Sequence, residues 1–93
     1  MTITIVQPLE NTGTGQAKPA RVILYNDDWH TFDDVIMQLV KAGACDAAEA
    51  ETHAWRVHTE GRSLVFMGAR PDCERVAGVL REIRLQVEVD WDD

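Results

Sequence analysis

Cysteine is scarce in this 93-residue chain: there are two, Cys45 and Cys73. They form no C-x-x-C pair and lack the spacing of zinc ligands. Both are expected to be buried or half-buried thiols in a reducing compartment. Basic residues are also few, with nine Lys and Arg against sixteen acids and a net charge of −7. That balance excludes the basic face that nucleic acid demands and makes an anionic membrane surface a poor partner. A cationic ligand or a basic partner surface fits better. No apolar run approaches the roughly 20 residues needed to span a bilayer. The start, MTITIVQPLE, carries no basic region ahead of an apolar one, so no secretory signal is expected and the expected compartment is the cytoplasm. No internal repeat is visible. No phosphate loop is present, since NTGTGQ has neither a strand before it nor a Lys after it. No nucleophile stands near a base in sequence: Ser63 falls in a strand, and neither Cys has a histidine close by. An enzyme is not expected.

What remains suits one small domain, because 45% apolar residues are enough to build a core. Residues 1–20 are expected to be a flexible N-terminal extension. Within them TITIV alternates like a short strand, and 11–20 are polar with Gly and Pro. The folded domain is expected over 21–93. RVILY at 21–25 suits a buried strand. Thr31 with Asp34 predicts a capping box, followed by a helix face of Phe32, Val35, Ile36, Leu39 and Val40 that ends at Gly43. Asp46 with Glu49 starts a second helix, which runs to Val57 or His58 with Ala47, Ala50, Ala54 and Val57 on one face. A tight turn is expected at TEGR, 59–62, then a strand at 63–67. Pro71 belongs in the first turn of a third helix that buries Cys73, Val76, Ala77, Leu80 and Ile83. In LQVEVD the residues Leu85, Val87 and Val89 alternate inward. The order β-α-α-β-α-β predicts an α+β domain, a three-stranded antiparallel sheet with three helices packed against it.

The chemistry concentrates where the first strand ends, at Asn26, Asp27 and Asp28, followed by Trp29 and His30. Asx residues are common in such turns because their side chains bond nearby amides. Only Thr31 is needed as a cap, however, so three in a row exceed the requirement. Two carboxylates and an amide oxygen form a set of acceptors suited to an ammonium group, which has three donors and no acceptor. His58 closes the second helix, where a histidine can also cap the last carbonyls. His53 lies five residues before it, off the i+4 face, so the two make no metal pair. His30 is expected to be exposed. A metal site from His30, His58 and the Asp pair is the lesser alternative, and no cofactor or metal is expected.

The NDD trio with its aromatic neighbour, the Thr-capped helix and the downstream VHTEG resemble ClpS, the small adaptor that brings proteins to the ClpAP protease. The likeness covers roughly residues 18–90. It implies the same β-α-α-β-α-β fold and a non-enzymatic role in binding N-degrons, protein N-termini that begin with Phe, Tyr, Trp or Leu. It places Asn26, Asp28 and His58, with Asp27 beside them, around the α-amino group. It places Phe32, Ala54, Val57 and Leu85 around the first side chain. The implied recipient is a ClpA-like AAA+ chaperone. Four features depart from the family pattern. Phe32 and Ala54 stand where Met is usual, Trp29 replaces a commoner Tyr, and Phe66 replaces the Gly of the second strand. The acid and base of the third helix that meet the chaperone are replaced by Pro71 and Val76. An alternative reading is therefore a ClpS-like interaction module that has lost N-degron binding or uses another partner.

Overall fold

The computed structural model describes residues 18–92. The TITIV segment and residues 11–17 of the expected linker lie outside the described residues. The element order is β1 (Ala20–Tyr25), α1 (Phe32–Lys41), α2 (Ala47–Glu60), β2 (Arg62–Gly68), α3 (Arg70–Arg81) and β3 (Gln86–Asp90). The α+β order read from the sequence holds.

β1 is the central strand of a three-stranded antiparallel sheet ordered β2-β1-β3. It begins at Ala20, one residue earlier than expected, and Ala20, Val22 and Leu24 are fully buried. The alternate residues point away from the core, so each side chain is committed to one face. A register shift at Val22/Ile23 interrupts the ladder with β2. Helix α3 packs across all three strands, α2 packs on β2, and α1 packs on α2 and α3. The largest fully buried side chains are Leu24, Leu39, Leu80, Val22, Val76 and Cys73, and Val35, Val57, Val65 and Leu85 join them in the core. Cys73 is buried, Cys45 is half-buried, and both are free thiols.

Both capping boxes are present. Thr31 Oγ1 accepts from the Asp34 amide at 3.1 Å, and Asp34 Oδ2 accepts from the Thr31 amide at 3.1 Å. Asp46 and Glu49 exchange the same pair of bonds at 2.8 and 3.2 Å. Several expectations need correction. Val40 is 43% exposed, whereas Gln38 is buried. The buried stripe of α1 runs through Val35, Gln38, Leu39 and Ala42. Val40 stands about 80° around the helix from Phe32, at 3.6 residues per turn. Gln38 is tolerated inside because its amide donates to the Val79 carbonyl at 2.6 Å. Ala47 is exposed, because a first-turn side chain leans back past the packed segment of its helix. Ile83 lies beyond α3, which ends at Arg81.

No TEGR tight turn forms either. Thr59 and Glu60 continue α2, Gly61 caps it in the left-handed region at φ 91°, and Arg62 opens β2 opposite Tyr25. The Gly61 carbonyl then accepts from the Asn26 amide at 2.9 Å. A single glycine thus joins the end of α2 to the end of β1.

Two glycines should respond oppositely to alanine. Gly61 needs positive φ, and nothing lies within 4 Å of the place a Cβ would take, so Gly61→Ala meets backbone strain rather than a clash. It should lower unfolding free energy by about 1–2 kcal/mol. Gly78 lies inside α3, exposed and with equally open space around an added Cβ. Gly78→Ala should raise stability by about 0.5–1 kcal/mol. Urea unfolding of both variants checks the pair.

Candidate functional site

The loop Asn26–His30 joins β1 to α1 and is shaped by Asp27. Asp27 Oδ1 accepts from the amides of Trp29 and His30 at 3.1 and 2.9 Å. This is an Asx turn, as three adjacent Asx residues suggest. The second oxygen meets His30 Nδ1 at 2.5 Å. On its other side, His30 Nε2 lies 2.6 Å from the Ile83 carbonyl. A carbonyl can only accept, and so can an ionised carboxylate. Both ring nitrogens therefore donate, and His30 is an imidazolium.

The expectation that His30 is exposed is corrected here: its side chain is only 4% exposed and that of Asp27 only 11%. The Trp29 ring covers it, with centroids 3.9 Å apart. Burial disfavours the charge on each partner, but the bonding outweighs it. Against burial, the Asp27 hydrogen bond, the Ile83 carbonyl and the charges of Asp27 and Asp34 raise His30 above its usual value. Likewise the His30 amide, the His30 ring and the Trp29 amide overcome burial and lower the Asp27 carboxyl.

A cavity of about 360 Å³ opens beside this loop. All eight residues singled out in the sequence line it. Asn26, Asp27, Asp28 and His58 supply polar side chains to the lining, and Phe32, Ala54, Val57 and Leu85 supply apolar ones. Asn26, Asp28 and His58 are exposed, whereas Ala54, Val57 and Leu85 are buried. The polar side chains of the lining are thus mostly exposed and its apolar side chains mostly buried. Ala54, Val57 and His58 share a face of α2 by their i, i+3, i+4 spacing. The capping role open to His58 falls to Gly61 instead, whose amide donates to the Val57 carbonyl at 2.9 Å.

Four further residues line the cleft: Tyr25, His30, Thr31 and Val35. Val35 could have been found as the i+3 neighbour of Phe32; His30 could not, because its carbonyl partner lies 53 residues away. Among the described residues, the side-chain bonds of this corner run through Asp27, His30, Thr31 and Asp34, and the side chains of Asn26, Asp28 and His58 make none. Also among the described residues, no group of three or more His, Cys, Asp or Glu could hold a metal ion, and no helix is long and apolar enough to cross a membrane. The cleft therefore offers an amide, a carboxylate and an imidazole without side-chain partners, set above an apolar recess.

The ion pair makes stability depend on pH. His30 holds its proton more tightly folded than unfolded, so its stabilisation is full below about pH 6.5 and is lost as pH rises through the raised value. Asp27 holds its proton less tightly when folded, so its share is present above about pH 4 and is lost as pH falls through the lowered value. The gap in unfolding free energy between the parent and Asp27→Asn should be widest near about pH 5.5 and narrower by about pH 9. Urea denaturation at the two values tests this, and an equal gap at both would contradict the imidazolium.

Comparisons with known proteins agree with this architecture. The family model described as ATP-dependent Clp protease adaptor protein ClpS matches residues 16–87. The chain is 40% identical over 52 residues to the E3 ubiquitin-protein ligase UBR1 of Homo sapiens, a match covering 56% of this chain and 3% of that protein. It is 34% identical over 71 residues to the E3 ubiquitin-protein ligase ubr-1 of Caenorhabditis elegans, covering 76% of this chain and 3% of that protein. The chain thus spans about 3% of the length of these curated relatives. The structure of Agrobacterium tumefaciens ClpS2 bound to L-phenylalaninamide shares the fold, with a TM-score of 0.75 at 18% identity over 83% of this chain and all of that one. With the family model covering most of its length, this chain belongs to the ClpS family.

Proposed function

We propose that the cleft binds the first residue of other polypeptides and that the chain is a non-enzymatic adaptor for such N-degrons. The observation that carries this is the pairing, within one cavity, of unengaged polar groups at the open end with a buried apolar recess. An α-ammonium group has three donors. The Asn26 carbonyl oxygen, the Asp28 carboxylate and a His58 ring nitrogen are the three acceptors offered to it. Asp27 lies beside them, but its oxygens already take three N–H groups, so its part is to set the loop. The first side chain enters between Phe32, Ala54, Val57 and Leu85. Burying a Phe, Tyr, Trp or Leu side chain there contributes about 1.5–3 kcal/mol. Each charge-assisted bond contributes a similar amount, before ordering costs.

Recognition of a terminus follows from charge, since an internal amide has none. L-Phenylalaninamide, held by the Agrobacterium ClpS2, has a free amino group and a ring, the two features this cleft addresses.

The natural recipient on this reading is a Clp-type AAA+ protease, reached through α3. Val76 is fully buried, so no base can be presented at that position, and Pro71 carries no charge. Arg70, Glu74 and Arg75 are engaged at home. Arg70 lies 3.6 Å over the Trp91 ring and 3.8 Å from Glu74, and Arg75 donates to the Ala42 carbonyl at 3.0 Å. The E3 ligase relatives favour a second reading for delivery, in which the same cleft serves machinery other than a Clp chaperone.

A peptide with a free N-terminal Phe or Leu should bind, and its N-acetylated twin should not, by fluorescence anisotropy; equal binding of both would sink the reading. In the same assay Asp28→Ala should weaken binding by about ten- to a hundredfold, the range for a lost bond to a charged group. Its melting temperature should hardly move, because the Thr31 cap remains. Docking to a ClpA-type N-terminal domain should be weak in a pull-down and sensitive to charge reversal at Glu74 and Arg75. Tight binding that ignores those reversals would show that α3 is not the docking surface.

A further inference from the structure

The width of the apolar recess depends on one ring. Of the apolar side chains that line it, α2 contributes only the methyl group of Ala54 and the small branched side chain of Val57, so Phe32 on α1 is the one apolar ring in the lining. Phe32 is also the first residue of α1. Inside a helix, a clash with the preceding turn restricts χ1. At the first position that turn is missing, so the helix itself does not fix the ring. Its neighbours must do so.

One neighbour is Trp55, which does not line the cavity. It is 54% exposed, and the residues beside it on α2, Glu51, Thr52, Arg56 and Thr59, are exposed and polar. Its indole meets the Phe32 ring edge-to-face, with centroids 4.7 Å apart and planes at 82°. It also faces the His58 ring at 6.3 Å and 78°, one helical turn along α2. Phe32 and His58 stand 5.5 Å apart at 70°. The three rings close a triangle of near-perpendicular contacts. Two of its corners are walls of the cavity, one at the apolar end and one at the polar end, and the third touches both from outside.

We propose that Trp55 is a specificity-determining positioning residue, which braces Phe32 and His58 and so fixes the width of the cleft and the distance between its two ends. The inference rests on the reading of the cleft as a site for an N-terminal residue. Without the indole, the Phe32 ring gains a second staggered position in the space left behind. The recess then widens: a Leu side chain loses its wall, while a Trp side chain keeps its contacts. Removing Trp55 therefore changes which side chain is preferred, and leaves the requirement for a free amino group in place.

The test uses the whole chain with Trp55→Ala and Trp55→Phe, and peptides that differ only in a first residue of Leu, Phe or Trp, each beside its acetylated twin. Trp55→Ala should shift the ratio of Leu to Trp affinity by about two- to tenfold toward Trp, the size expected of one edge-to-face pair. The acetylated twins should still be rejected. Trp55→Phe keeps an aromatic edge against Phe32 and should hold the parental ratio. An unchanged ratio in Trp55→Ala, or an equal loss for every first residue, would overturn the proposal. Aromatic NMR of the peptide-free chain gives a readout without ligand: Trp55→Ala should move the Phe32 and His58 ring signals and leave the Leu80 methyls where they are. Unmoved Phe32 signals would also overturn it. Failure of the parent chain to bind any free N-terminus would remove the reading of the cleft and this proposal with it, and that failure shows before any substitution is made.

Discussion

A buried imidazolium cannot stand without partners, and the site is built around satisfying one. His30 bonds Asp27 on its own loop and the Ile83 carbonyl just past α3. The first bond closes the turn on which Asn26 and Asp28 are displayed. The second pins that turn to the segment leading into β3, two residues before Leu85, which is a wall of the apolar recess. Arg84 lies between them with φ at 65°, so the chain turns sharply at that point. One ring therefore relates the polar end of the cleft to part of its apolar end. The other relation is the bond from the Asn26 amide to the Gly61 carbonyl, which ties the loop to the end of α2 that carries His58.

The two adjacent carboxylates consequently stand in different surroundings. Asp27 is neutralised by His30 and shielded, so it adds little net field to the cleft. Asp28 is exposed, and its carboxylate has no side-chain partner among the described residues. Placing one carboxylate in a rigid pair and the other at the opening separates shape from charge. The loop can hold its geometry whether or not a cation is present. Preorganisation of this kind lowers the ordering cost of binding.

The fold survives at 18% identity to the Agrobacterium protein because it depends on the pattern of burial more than on particular side chains. Alternation along β1, a small-residue face on α2 and the buried stripe of α3 are each compatible with many sequences.

The sequence by itself determined what acts over a few residues. Thr31 with Asp34 and Asp46 with Glu49 announce two helix starts, because a capping box closes within three residues. The aliphatic run of β1 and the alternation of β3 announce two strands, and the NDD and VHTEG motifs contain five of the lining positions, Asn26, Asp27, Asp28, Val57 and His58. The missed features are those whose partners are far along the chain. Gln38 is buried because Val79 supplies an acceptor, and Val40 is exposed because α3 meets a different stripe of α1 than the one counted from Phe32. Nothing in the sequence singles out Trp55, which meets Phe32 only through the packing of α1 on α2. His30 reads as an exposed neighbour of two acids until Ile83, 53 residues later, fixes its second nitrogen. Local hydrogen bonds write themselves into short spacings, whereas the protonation of a ring and the width of a cleft are set by which distant segments pack together, and only the tertiary structure decided those.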